Sequence, residues 1–354
     1  MLSSTVSPVT DVIVIAGVDT HADTHHAAVI DTQGRHLADR GFAATAAGYQ
    51  QLLEWVAGHG VIDTVGVELT GSYGAALTRY LTGAGVTVRE VNTTDKATRA
   101  RRGKTDQADA YAAAEKTLAG MATATPKDTT GNSEAIRVLT LVRSSAVTSR
   151  TKAWNQLRAL LVTAPAELRD RLRAMTPAKL HAAITALTTP EDADTVTRAT
   201  ITALHRLTAR ITALTLEIND ADHDLELLVT ATAPTLVNRP GIGIHTAARL
   251  LICVADNGGR IHSEAALARI MGACPIPASS GKTTRMRLNR GGDRKANSAL
   301  HMIAVGRLRH DPRTRTYRDN AHARGQSTRD AIRSLKRAIA REIYNTLKTD
   351  GIIT

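Results

Sequence analysis

The chain has 354 residues, enough for two or three domains, and its 43% hydrophobic and 22% charged residues exclude a wholly disordered polypeptide. The longest early apolar run, "VIVIAGV" (12–18), is far too short for a bilayer span, so no membrane partner is expected. The net charge of +12 is localised: residues 282–342 hold 17 Lys+Arg against 5 Asp+Glu and the rest of the chain balances, which points to a polyanion partner such as nucleic acid.

One Phe, two Trp and six Tyr leave little for base stacking, so phosphate contacts by Arg and Lys are expected to dominate. Cys253 and Cys274 have neither disulfide-framework nor metal-ligand spacing. "MLSSTVSPVTD" lacks the basic and apolar regions of a secretory signal, and a reducing, cytoplasmic and nucleoid-associated location is the expectation.

In chain order, "VIVIAGVDTHADTHHAAVID" (12–31) predicts a strand, a polar bend and a second strand, with "TQG" (32–34) as a turn. A helix follows over 46–58, a buried strand over 64–70, a helix over 72–83 and a strand over 86–92. The basic stretch "RARRGKTDQADA" (99–110) leads into an alanine-rich helix from Thr105 to Ala119, with Gly120 as its stop. This alternation predicts an α/β domain with a mixed sheet over residues 1–125.

Residues 126–232 read as helical. Leu204, Leu207, Ile211, Leu214, Ile218, Ala221, Leu225 and Leu228 recur in steps of three and four, the spacing of a coiled-coil seam. A bundle within one chain, a two-helix arm and a dimerising stalk all satisfy it. Pro177 and Pro190 are the expected breakers between the long helices. Residues 233–354 form the basic C-terminal region, mainly α. Its "RPGIGIHTAARLL" resembles a helix-hairpin-helix, in which backbone N–H groups meet a DNA phosphate.

Four carboxylates stand where strands end or a helix begins. Asp19 closes the first strand and Glu68 the "VGVE" strand, while Asp106 and Asp109 share one helix face at i and i+3. Strand ends gather on one sheet edge, and four gathered acids repel unless cations intervene. Two Mg²⁺ (or Mn²⁺) ions about 3.5–4 Å apart are the usual arrangement in phosphodiester chemistry. His21, His25 and His26 read as strand or loop surface positions. Arg99, Arg101, Arg102 and Lys104 would then grip the polyanion that the acids cut.

"GVDTHADTHHAAVIDTQG", "VGVELTGSYG" and "VNTTDKATRARRGKTDQADA" resemble the N-terminal domain of insertion-sequence 110 family transposases. "RPGIGIHTAARLL" and "MGACPIPASSGKTTRMRLNRGGDRKANSAL" are similar to that family's C-terminal transposase domain. The resemblance implies a RuvC-like, RNase H-fold first domain whose Asp, Glu, Asp-x-x-Asp set maps onto Asp19, Glu68, Asp106 and Asp109. It implies a serine nucleophile at Ser280, with Ser279 adjacent, that joins covalently to DNA. Lys282, Arg285, Arg287 and Arg290 would hold the scissile phosphate there. It further implies a homo-oligomer, a dimer or tetramer, and a non-coding guide RNA alongside the DNA. Where many members carry an arginine-rich run after a glycine turn, this chain has "GGDRKANSAL", with Asn297 and Ser298.

Three rivals remain at this level. A RuvC-like, structure-specific endonuclease would use only the acidic site and need no serine. An actin-like phosphotransferase shares the opening hairpin but requires a second glycine-rich phosphate loop. A non-catalytic DNA-binding protein accounts for the charge and leaves the four acids without a role.

Overall fold

A computed structural model describes residues 12–91, 105–278, 286–287 and 289–354. They form two compact units, residues 1–129 with 255–260, and residues 130–254 with 261–354. The helical stretch expected over 126–232 and the basic region expected over 233–354 therefore fall almost wholly in the second unit.

The first unit is a five-stranded mixed sheet with helices on both faces. Its strands are β1 (Ile13–Thr20), β2 (Thr24–Asp31), β3 (His36–Ala43), β4 (Val61–Glu68) and β5 (Val88–Val91), in the order β3-β2-β1-β4-β5. The first three run antiparallel, whereas β1 pairs with β4 and β4 with β5 in parallel. The helices are α1 (Ala46–Ala57), α2 (Ala75–Gly83) and α3 (Asp106–Leu118).

Alternation along the strands sorts the side chains between two cores. Val14, Ala16, Val18, Ala27, Val29, Val65 and Val67 pack with Leu52 and Val56 of α1 and Leu77 and Leu81 of α2. On the other face Ile15, Ala28 and Ile30 meet Ala110, Tyr111 and Ala114 of α3. Because β1 is buried on both faces, its sequence is a continuous apolar run rather than an alternating one. The edge strand β3, "HLADRGFA", is not predicted by the pattern. Only Phe42 of it is buried, and the ladder to β2 holds the rest.

Helix α3 lies unusually close to the sheet. Gly17 and Gly66 face each other across the β1–β4 ladder. A Cβ at Gly17 would sit 2.2 Å from both the Ala110 carbonyl oxygen and the Ala114 nitrogen, and one at Gly66 would sit 2.1 Å from Thr117 Oγ1. The absence of two side chains is what lets α3 rest its backbone on β1. Thr105 caps the helix, its hydroxyl accepting from the Ala108 N–H at 3.2 Å, and Gly120, at φ +66°, ends it as expected.

The second unit is helical: α4 (Asn132–Thr163), α5 (Ala166–Leu172), α6 (Pro177–Thr185), α7 (Thr195–Thr232), α8 (Pro234–Val237), α9 (Ile244–Val254), α10 (Glu264–Ile270), α11 (Arg294–His310), α12 (Pro312–Ala323) and α13 (Thr328–Thr349). Two two-residue strands, β6 (Ile276–Pro277) and β7 (Met286–Arg287), pair antiparallel. The long helices α4 and α7 run antiparallel, since Arg143 pairs with Asp222 while Arg150 donates to Thr215. The seam residues Leu204, Ile211, Ile218, Ala221 and Leu225 are buried, and Leu157, Leu161, Leu172, Leu180 and Ile184 join Leu204 and Ile211 in one cluster. The periodicity is thus answered within the chain. Pro177 begins α6 rather than breaking a helix, since the first helical position needs no N–H partner.

The glycine contact yields a stability test. Gly17→Ala is expected to cost about 3 kcal/mol in urea unfolding, because the atoms it would strike are backbone and cannot turn aside. Gly83→Ala, with nothing within 4 Å of the added carbon, is the control and should be neutral or slightly stabilising.

Candidate metal centre

Three elements deliver the acidic residues to one place. Asp19 is the penultimate residue of β1 and Glu68 the last of β4. Val18 stands opposite Val67 in the parallel ladder, so these two acids follow side by side. Each comes two residues after a glycine that faces α3, and strand alternation returns it to that face. The Thr20 hydroxyl donates to the Glu68 carbonyl at 3.0 Å and ties the two strand ends together. Beyond Glu68 the chain turns through Leu69, at φ +51°, a conformation that costs a non-glycine residue about 1–2 kcal/mol.

Asp106 and Asp109 occupy the first turn of α3, where the helix dipole favours negative charge. Asp19, Glu68 and Asp109 are only 6, 4 and 5% exposed. The Asp106 side chain is half exposed. Burial holds the Asp19 carboxyl above the ordinary carboxylate range; His21 opposes that shift, and the nearby charges of Asp109 and Asp106 add to it.

His21 completes the group. Its Nε2 lies 3.1 Å from Asp19 Oδ2 and 3.3 Å from Asp106 Oδ1. One ligand atom from each of Asp19, His21 and Asp106 falls within 4.8 Å of the other two. Two carboxylate oxygens and an imidazole nitrogen at that separation are a donor set that fits a divalent cation. The surface reading fails for His25, which is 1% exposed in β2; His21 keeps the loop position expected of it, its side chain 44% exposed, but is not among the expected site residues. The signal was present in the sequence, since a residue two beyond Asp19 shares its face if the strand geometry persists.

The other two histidines do different work. His25 stacks on Tyr49 with ring centroids 5.6 Å apart, on the face away from α3, and burial lowers its pKa. His26 Nε2 lies 2.8 Å from Asp39 Oδ2, while Asp39 Oδ1 accepts from Gln107 Nε2 at 2.6 Å and from the Tyr111 hydroxyl at 3.3 Å. Burial would raise the Asp39 carboxyl, but the bonds from His26 and Gln107 hold it below the ordinary range. Asp39 thereby fastens the first turn of α3 to β2 and β3.

Of the remaining expected site residues, Arg99, Arg101, Arg102, Lys104, Ser279, Ser280, Lys282 and Arg285 lie outside the described residues. Arg287, on β7, and Arg290 are exposed. The β6–β7 ladder, pairing Pro277 with Met286, holds together the two ends of the segment that contains both serines. Asn297 is structural: its Nδ2 donates to the Met271 carbonyl at 2.9 Å and its Oδ1 accepts from Lys336 at 2.5 Å. Part of the C-terminal positive charge is also engaged internally. Arg307 clamps Glu342 at 2.7 and 2.9 Å, and Arg337 and Arg341 share Glu264. Among the described residues no helix is long and apolar enough to cross a membrane.

Residues 16–164 match a family model described as a transposase, of the DEDD type of IS110. Residues 233–319 match a second, described as the transposase IS116/IS110/IS902 family. The insertion element IS110 uncharacterized 43.6 kDa protein of Streptomyces coelicolor is 35% identical over 120 residues, which are 34% of this chain and 29% of that protein. The insertion element IS900 uncharacterized 42 kDa protein of Mycobacterium paratuberculosis is 26% identical over 95% of this chain and 96% of its own length.

The crowding of acids makes a prediction about the metal-free protein. Asp19→Asn removes a buried charge that Asp106 and Asp109 repel, so unfolding in EDTA should become harder by about 1 kcal/mol. The further stabilisation that saturating Mg²⁺ or Mn²⁺ gives the wild type should be lost. An unchanged or lowered midpoint in EDTA would mean that the carboxylate is already compensated.

Proposed function

Because the chain belongs to the insertion-sequence 110 family of transposases, we propose that it excises and reinserts its own element by cation-dependent cleavage and rejoining of DNA. The observation that carries this reading is the meeting of Asp19 and Asp106, from a strand end and a helix start, in one acidic centre, the first buried and the second exposed. The strand order β3-β2-β1-β4-β5, with its antiparallel first three strands, supports an RNase H-like reading of the first unit.

In this reading Asp19, Glu68, Asp106 and Asp109 hold Mg²⁺ or Mn²⁺. The bound ion would polarise the phosphodiester and offset charge that develops on it. Ser280 is the nucleophile. Its Oγ forms a bond to phosphorus as the bond from phosphorus to one deoxyribose oxygen breaks. The hydroxyl proton leaves Oγ, and the departing sugar oxygen takes up a proton. A sugar hydroxyl from the second strand reverses the step, restores the serine and makes the new phosphodiester with no outside energy source. Arg99, Arg101, Arg102, Lys104, Lys282, Arg285, Arg287 and Arg290 grip phosphates around the reacting one. A guide RNA would engage the same basic stretches, and a homo-oligomer would bring acids and serine from different copies together.

The test is formation of the excision junction in cells carrying the gene with its native flanks, amplified across the joined ends. Glu68→Gln and Ser280→Ala should each lower junction yield on the order of 1,000-fold at equal expression. Full activity of Ser280→Ala would remove Ser280 from the chemistry and leave Ser279, or a serine-free route that uses the acids alone. Full activity of Glu68→Gln would remove the acidic centre from the chemistry.

A further inference from the structure

We propose that His21 is a nitrogen ligand of the cation held by Asp19 and Asp106, and that it makes this centre select Mn²⁺ over Mg²⁺. The inference rests on the reading of these two carboxylates as cation ligands and adds a donor of a different element to them.

The placement of His21 is fixed by the fold. Thr20 pairs with His25 across the β1–β2 hairpin, and the His21 N–H donates to the Thr24 carbonyl at 3.0 Å, which carries the ladder one step past the end of β1. The strand period therefore applies, and His21 shares the face of Asp19. Across that face it meets Asp106, which arrives independently on α3.

The contact is made by a single atom. Nε2 lies within 3.3 Å of carboxylate oxygens from two separate elements. An imidazole Nε2 carries at most one proton, directed along one line, so it cannot serve two carboxylates equally as a hydrogen-bond donor. A cation among the three ligand atoms satisfies all of them at once. The side chain is 44% exposed, so a hydrated ion can reach it without unfolding the hairpin.

The choice of metal follows from the donor. Mg²⁺ prefers an all-oxygen octahedron and gives up water reluctantly, whereas the affinity of nitrogen ligands rises along the first-row series from Mn²⁺. One imidazole beside two carboxylates thus raises Mn²⁺ affinity and gives Mg²⁺ little.

The experiment is electron spin-echo spectroscopy of Mn²⁺ bound to the full-length chain without DNA, with Mn²⁺ and Mg²⁺ affinities measured in parallel. It compares the wild type, His21→Gln, His21→Ala and Asp19→Asn, each checked for native circular dichroism. The wild type should show nitrogen modulation on the bound Mn²⁺, absent from both His21 variants. Their Mn²⁺ affinity should fall about tenfold or more while that for Mg²⁺ barely changes. Mn²⁺ that binds, weakens with Asp19→Asn and shows no nitrogen coupling would overturn the role of His21 and leave the carboxylate centre standing. Nitrogen coupling that persists in the His21 variants would also overturn it. A wild type that binds no Mn²⁺ would overturn the role of His21 and the cation reading together.

Discussion

The candidate site depends on backbone-to-backbone contact between α3 and the sheet at Gly17 and Gly66. From those two glycines, two residues along each strand lead to Asp19 and Glu68. From the α3 residues that meet them, Ala110 and Ala113, one turn back along the helix leads to Asp106 and Asp109. Two strand residues advance about 6.6 Å and one helical turn about 5.4 Å, so the steps nearly match and the start of α3 comes level with the ends of β1 and β4. A side chain at either glycine would lift the helix and carry two of the acids away from the other two.

That geometry works against the stability of the fold. Asp19, Glu68 and Asp109 are buried, and at Asp19 burial together with the charges of Asp109 and Asp106 raises the pKa. The surroundings compensate at a distance. Thr105 and the helix dipole favour acids at the start of α3, and Asp39 anchors Gln107 and Tyr111 of the same helix to β2 and β3. The first turn of α3 is thus fastened to the sheet through Asp39, a residue outside the group of acids, while His21 meets Asp19 and Asp106 directly.

What could be read from the sequence followed from how strongly each feature is dictated locally. The acids were legible because carboxylates that end apolar strands, and a pair at i and i+3 behind a capping threonine, are local patterns. The central strands β1 and β4 and helix α3, with its stop at Gly120, were legible for the same reason. Strand β3 was not, because its Ala, Asp, Arg and Gly carry no β signal and its pairing comes from β2 alone. His21 was read as a strand or loop surface position because Asp106, the second acid it meets, comes from a helix far along the chain. Asp39 was missed because its partners lie 13, 68 and 72 residues away. The heptad pattern of α7 was plain, but a pattern names a buried face and not the helix that covers it, and α4 of the same chain covers part of that face.

Charge needs the same separation of roles. The whole excess of +12 lies in one stretch of sequence, yet Arg307, Arg337 and the exposed Arg341 are paired with Glu342 and Glu264 within the helical unit, and Lys336 holds Asn297. These cations join α11, α13 and α10 to one another. Each such pair already cancels within the net charge, so pairing decides which cations are left to meet a phosphate rather than how large the excess is. Arg287 and Arg290 are of the other kind, exposed and next to the β6–β7 ladder that closes the serine-bearing segment. Exposure thus separates Arg287 and Arg290 from the partly buried Arg307 and Arg337, whose carboxylate partners tie helices of the unit to one another.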